Sequence, residues 1–335
     1  MLRGAGPYQD RRDEEKDNGS HGSLSTKGTV AWSPSARVWY DMLNPPARTV
    51  RRPVPTMLST LLVLAISLTG GPADKVGKFD HRKIAEPSGI VASRKHPGIF
   101  WVHNDSGNAP LLFAVKQDGS LLREYSVEAT NLDWEDLAID NSGHLYIGDI
   151  GNNLRALPIR VIYRVDEPDP TEMKKDKGVH KLKVSAAIYF AYPSTGAFDA
   201  EGLFIDGDRA IVVAKSQNGS EAELFAIPLR ATSLLKPARA ERVGSLKGFK
   251  KPATGADLSA DGRMLSVCAL GEVRIYRRDA DGRWLPFAKM KGPDGQVEAI
   301  GWDGSDLVLA NEDREIFRIT EKTWRGEARK KGEKP

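Results

Sequence analysis

Cysteine is almost absent: the 335-residue chain has one, Cys268. That excludes a disulfide within the chain, and with it a zinc site built from cysteine and histidine pairs. Cys268 lies in the apolar run MLSVCAL (264–270) and reads as a strand-buried thiol, the usual place of a free cysteine. An excess of one charge is lacking too. With 49 basic and 45 acidic residues the net charge is +4. No basic stripe with interleaved aromatics appears, so nucleic acid is not an expected partner. The basic run Arg329–Lys334 reads as a frayed tail, with residues 326–335 expected to be disordered. The chain has no G-x-x-x-x-G-K phosphate cradle and no G-x-S-x-G nucleophile elbow.

Long hydrophobic runs are missing as well. The apolar core Leu58–Leu68 falls short of the roughly 20 residues that a bilayer span needs. It follows Arg48, Arg51 and Arg52 and precedes the small residues Gly71-Pro72-Ala73, which is the layout of a signal peptide. Residues 42–73 are therefore expected to direct export to the periplasm or exterior, with the mature protein beginning near Asp74. No cysteine follows, so a lipoprotein anchor is excluded. Residues 1–41 are polar, rich in charge and glycine, and without period. They read as disordered or as an over-long start, the true initiator being Met1, Met42 or Met57.

What the chain does have is repetition. PSGIVAS (87–93), WEDLAID (134–140), AEGLFID (200–206), GADLSAD (255–261) and EAIGWDG (298–304) share one pattern. Their anchors Ile90, Leu137, Leu203, Leu258 and Ile300 recur at intervals of 47, 66, 55 and 42 residues. Runs of alternating apolar and polar residues follow each, separated by Asp/Asn-Gly turns such as 141–143, 206–208 and 303–305. A period of this length built from strands predicts an all-β fold, a β-propeller with one blade per repeat. Five four-stranded blades are expected over 74–325, the fifth completed by the N-terminal strand 78–85. A sixth blade is the alternative if the long 166–200 segment holds an extra hairpin. Asp279-Ala-Asp281-Gly282 lacks the further ligands of a calcium loop and reads as a hairpin turn. Trp101, Tyr146, Tyr163 and Phe225 fall in strand interiors and are expected to pack between blades.

In a propeller the innermost strands surround a channel, and the loops entering them open on one face. That rule gathers Ser88, Asp133, Glu135, Asp136, Glu201, Asp257 and Glu298 at strand entries. It adds His103, Asn104, Asp105, Asp149, Asn152, Asn153 and Lys215 from second-to-third loops. Carboxylates crowded together raise one another's pKa unless something positive intervenes: a hard cation, Lys215 or Arg155, or a cationic ligand. Calcium, which favours six to eight oxygens, fits such a set, and Glu135, Asp149, Glu201 and Glu298 are the candidate metal ligands. The competing reading is that these groups cap strand starts through backbone amides. The recurrence of Glu135, Glu201 and Glu298 in one slot suits both.

The stretches 86–115 and 131–168 carry DWED, GDIGNN and YRVDEP. They resemble an uncharacterised family of exported bacterial β-propeller proteins with DWED and GDIG-[DN]-N motifs, a resemblance that extends over most of 84–320. More distantly the chain is similar to phytase-like esterase and sugar-lactonase propellers. That resemblance implies acidic and amide side chains holding calcium at the channel. Asn152 stands where the family often has Asp, one charge fewer. Two functions follow as expectations. One is an exported monomer without a membrane span, binding a small molecule, cell-envelope ligand or metal at an acidic channel mouth. The other is a calcium-dependent hydrolase of a phosphoester, ester or lactone.

Overall fold

The computed structural model describes residues 72–172, 180–193, 198–215 and 219–330, all within the unit Ser67–Pro335. The expected signal-peptide core and the segment 1–41 lie outside the described residues. β1 (Asp74–Lys78) comes first. The first blade follows as β2 (Pro87–Ala92), β3 (Ile99–Asn104), β4 (Leu111–Lys116) and β5 (Leu121–Val127). The second uses β6 (Trp134–Ile139), β7 (His144–Asp149) and β8 (Ile159–Asp166), then β10 (Val184–Ala191) after the short β9 (His180–Leu182). The third is β11 (Ala200–Asp206), β12 (Arg209–Ala214), β13 (Ala222–Pro228) and β15 (Glu241–Leu246), with β14 (Ala238–Arg239) in between. The fourth is β16 (Gly255–Leu258), β17 (Met264–Ala269), β18 (Glu272–Arg278) and β19 (Trp284–Lys291). The fifth is β20 (Val297–Asp303), β21 (Asp306–Asn311) and β22 (Glu315–Ile319), with helix α1 (Glu321–Lys330) beyond it.

The fold is thus an all-β propeller of five blades, and the ring closes through the N-terminal strand. That strand is β1, antiparallel to β22 from Asp74↔Arg318 to Lys78↔Glu315, so the expected closing strand 78–85 is displaced upstream. The reason lies in its side chains. Phe79 and Ile84 are five apart rather than alternating, and both are fully buried in the layer between the fifth and first blades. Residues 79–86 are therefore a loop that plugs this seam. The closing strand runs against the 118–119 turn, where a Cβ on Gly119 would collide with the Lys78 carbonyl. Gly119 also has φ of 91°, so glycine is required there twice over.

Among the described residues the long 166–200 segment forms no sixth blade. Its β9 joins the outer edge of the first blade, parallel to β5 (Tyr125↔His180). β14 likewise leaves the third blade to run parallel to β10 of the second (Phe190↔Ala238). Apolar side chains between blades form the core, among them Trp101, Tyr146, Tyr163 and Phe225 as expected. Cys268 is buried and free. Asp279 accepts the Asp281 and Arg283 amides, as its reading as a hairpin turn requires.

α1 continues to Lys330, five residues into the stretch expected to be disordered. Thr320 caps its start, and Trp324 and Ala328, one turn apart, are buried. Trp324 packs on Trp302 and Phe287 at ring distances of 5.8 and 6.1 Å. No helix among the described residues is long and apolar enough to cross a membrane.

Candidate functional site

The five innermost strands β2, β6, β11, β16 and β20 run in the same direction around the axis, so their N-terminal ends share one face, the upper mouth. In four of them pairing with the second strand slips by one residue at the start. The slips lie between Pro87 and Gly89, Trp134 and Asp136, Ala200 and Gly202, and Val297 and Ala299. The extra residues are Ser88, Glu135, Glu201 and Glu298. A bulge of this kind re-aims the side chain it carries. β16 has no slip, and its corresponding residue is Ala256. The repeated glutamate slot is therefore a repeated backbone irregularity that presents carboxylates at the mouth.

These carboxylates divide into two groups. On one side Lys215 lies between Asp199 (3.1 Å) and Glu201, with Asn153 Oδ1 at 3.5 Å. Asp199 also accepts the Asn152 amide at 2.9 Å. That half of the mouth carries its own counter-ion. On the other side Asp105, Asp133 and Glu135 bring one oxygen each within 4.8 Å of one another. Glu135 is 4% exposed, and its carboxylate receives no hydrogen bond among the described residues. A Cβ on Gly151, the last glycine of GDIG, would fall on Glu135 Oε1 and come within 2.6 Å of Asp133 Oδ2. Only a bare backbone leaves these two carboxylates their place.

Burial, then the charges of Glu201, Asp105 and Asp133, hold the Glu135 pKa far above the usual carboxylate range. Burial likewise raises Asp105 and Asp133, with further repulsion from neighbouring acids. Burial raises Glu201 against the opposing pull of Lys215. Glu298 is pushed up to about 7, again mainly by burial.

A second layer holds the cluster in place. Asp149 forms a buried ion pair with Arg160 (2.8 Å) and accepts the Leu132 and Asp133 amides at 3.2 and 3.1 Å. Its oxygens are committed to fixing the 131–133 loop, and it stands behind Asp133 rather than among the unpaired acids. Asn131 donates to the Asp105 carbonyl at 2.9 Å and accepts the Trp134 amide at 3.1 Å, tying both arms of the cluster together. Asn152 braces its own loop through Leu157 in both directions. Asn104 accepts the Ala85 and Glu86 amides and donates to Lys83 O.

Three other sequence candidates lie deeper. Asp136 is fully buried and accepts backbone N–H groups from three blades: Leu137 at 2.8 Å, Leu203 at 2.8 Å and Ala256 at 3.0 Å. Asp257 does the same for Leu258 and Trp302 at 2.9 and 2.8 Å. Both knot the inner strands together. His103 is fully buried edge-on to Trp134, its ring centroid 5.4 Å away. Burial lowers its pKa and favours the neutral ring, which is enclosed in the packing and not open to the mouth. Asp199 is the mouth residue that the sequence candidates omit. Its signal was present: Asp199-Ala-Glu201 repeats Asp133-Trp-Glu135.

No protein-family model and no curated protein matches the chain. Among solved structures it is similar to the β-propeller domain of Myceliophteria thermophila Cps50 (Swd1). The two share 12% identity at a TM-score of 0.37, over 74% of this chain and 68% of that one. A likeness of this size carries no functional content.

Proposed function

We propose that the protein is an exported, non-catalytic propeller that binds a divalent cation at Asp105, Asp133 and Glu135. The observation that carries this is the asymmetry of the mouth: one acidic group is ion-paired with Lys215, and the other forms no ion pair among the described residues, feeling Lys215 and Arg160 only at longer range. Three carboxylates gathered this closely at neutral pH call for a positive partner or bound protons. The donor set is entirely oxygen, which suits hard cations such as calcium or magnesium and not zinc or copper. Gly151 and the Asp149–Arg160 pair keep these oxygens together, a pre-formed arrangement that lowers the ordering cost of binding. Of the four ligands suggested by sequence, Glu135 remains. Asp149 belongs to Arg160, Glu201 to Lys215, and Glu298 lies in the same bulge slot of the fifth blade.

The test is isothermal titration of calcium, magnesium and manganese into the protein and into Asp105→Asn. A saturable heat for at least one cation, lost or weakened at least tenfold in the variant, is expected. No cation response in the parent protein would end this reading. A hydrolase acting on an ester, phosphoester or lactone is favoured by one observation only. Glu135 holds a proton beside two further carboxylates, a pairing that general acid–base chemistry uses. Turnover of such esters that vanishes in Glu135→Gln would establish it, and its absence with the cation bound would leave the binding role.

A further inference from the structure

The opposite end of the channel holds a cavity of different chemistry. There the inner strands end in hairpin turns. Those of the second, third and fourth blades, with the Arg94 segment of the first, enclose a cavity of about 340 Å³. Most of its lining is polar, and Ile139, Ile205 and Leu258 supply a smaller apolar patch at the ends of the inner strands. Into this cavity comes one guanidinium. Arg94 is half-buried, its Nε is shut off from water without a hydrogen-bond partner, and it makes no ion pair among the described residues.

The buried Asp257 carboxylate feels the Arg94 charge, but its oxygens accept the Leu258 and Trp302 amides, and the acids on the rim do not supply a hydrogen-bond partner either. Asp140 accepts the Ser142 and His144 amides, the His144 ring and the Tyr146 hydroxyl. Asp206 is paired with Arg278 at 2.7 Å. Asp261 accepts the Ser259 hydroxyl and the Arg263 amide. Each is held within or beside its own turn. A buried guanidinium N–H without an acceptor costs roughly 1–3 kcal/mol, and a forked donor matches a carboxylate in shape. The apolar patch next to it suits a short aliphatic body.

We infer that this lower mouth binds a small organic carboxylate, its anionic end on Arg94 and its aliphatic body on Ile139, Ile205 and Leu258. The rim turns contribute polar edges that favour a ligand carrying an additional donor. Inorganic phosphate, lacking an apolar body, forgoes the patch and is the weaker ligand. The site is independent of the acidic upper mouth, at the other ends of the same strands.

Isovalerate, its neutral isostere isovaleramide, and inorganic phosphate are the probes, titrated into the whole protein. Amide shifts are followed in ¹⁵N-labelled protein at Ser142, Gly207 and Gly262. Isovalerate is expected to bind and to move these three signals, with isovaleramide and phosphate weaker. Arg94→Gln is expected to lower isovalerate affinity on the order of 10- to 100-fold, the value of a hydrogen bond to a charged group. Arg94→Lys, which keeps the charge but not the fork, should fall between. Isovaleramide binding as tightly as isovalerate would overturn the proposal, whether or not Arg94→Gln folds. So would isovalerate affinity unchanged in a folded Arg94→Gln protein, or shifts confined to the upper mouth.

Discussion

Replacing Glu135 by glutamine should leave the cation-free protein nearly as stable as before and abolish its response to calcium. The reasoning starts from distance. Two carboxylate oxygens lie within 4.8 Å of Glu135. At an effective dielectric near 20, each ionised neighbour at that separation would repel a charged Glu135 by about 3.5 kcal/mol. Burial adds to this, so without a cation Glu135 keeps its proton at neutral pH. Glutamine has the shape of the protonated acid and no charge. Its effect on unfolding free energy at pH 7 should therefore stay within about 1 kcal/mol, in the range of neutral substitutions. With the cation the two proteins part. At one hundred times the dissociation constant the parent gains about 2.7 kcal/mol. For a domain of this size that is a rise of roughly 5–10 °C in melting temperature. Calorimetric melting of both proteins, with chelator and with saturating calcium, reads both effects at once. A loss above about 2 kcal/mol in the chelated variant would refute the protonated state, because it would mean an ionised carboxylate had been stabilising the fold. A calcium shift of parental size in the variant would remove Glu135 from the site.

Glu298, at about 7, gives a pH signature of opposite sign to an ordinary ion pair. Its folded pKa lies above the unfolded value near 4.5, so the native state holds the extra proton between the two. This contribution, up to about 3 kcal/mol, is present below pH 4.5 and lost as pH rises to 7, and Glu298→Gln should flatten the slope in urea titrations at stepped pH. Gly151→Ala should fold, with the 151 loop displaced, and lose cation binding by calorimetry, since its Cβ would meet Glu135 and Asp133. Full-strength binding in that variant would show that the cluster does not need the bare backbone. Asp136→Asn sets an amide donor against backbone N–H groups from neighbouring blades and should cost about 2–4 kcal/mol in urea denaturation. A change below 1 kcal/mol would mean the knot at the axis is weak. Trp324→Ala should cost about 3–5 kcal/mol, which would show as an early melt of the fifth-blade face; an unchanged melt would detach α1 from the fold's stability.

The architecture was legible because repetition imposes it. The anchors from Ile90 to Ile300 sit at matching points of successive blades, and strand alternation supplied the rest. The closing strand was misplaced because 78–85 precedes the first repeat unpaired, while its Phe79 and Ile84, five apart, do not alternate as a strand requires and instead fill the seam. The site was half legible. Glu135 and Glu201 were singled out by slot, but nothing in their spelling distinguishes a carboxylate with a lysine from one without. That difference is made by Lys215, which is adjacent only in three dimensions. Asp136 and Asp257 occupy the slot one residue further on, where the side chain enters the axis and meets amides instead of the mouth. In a strand of period two that single step decides between site and scaffold. Asp149 looked like a ligand because its partner, Arg160, lies on the next strand.

The closing pair also sets a timetable. Asp74 meets Arg318, so the first described strand has no strand partner until the last described strand has been made. A contact spanning nearly the whole domain is the slowest kind to form. Until then the fifth blade has an open edge and the seam around Phe79 and Ile84 has no lid. The ring therefore behaves as a clasp. Four blades have all their strands before the chain ends, and the fifth is complete only when β1 pairs with β22.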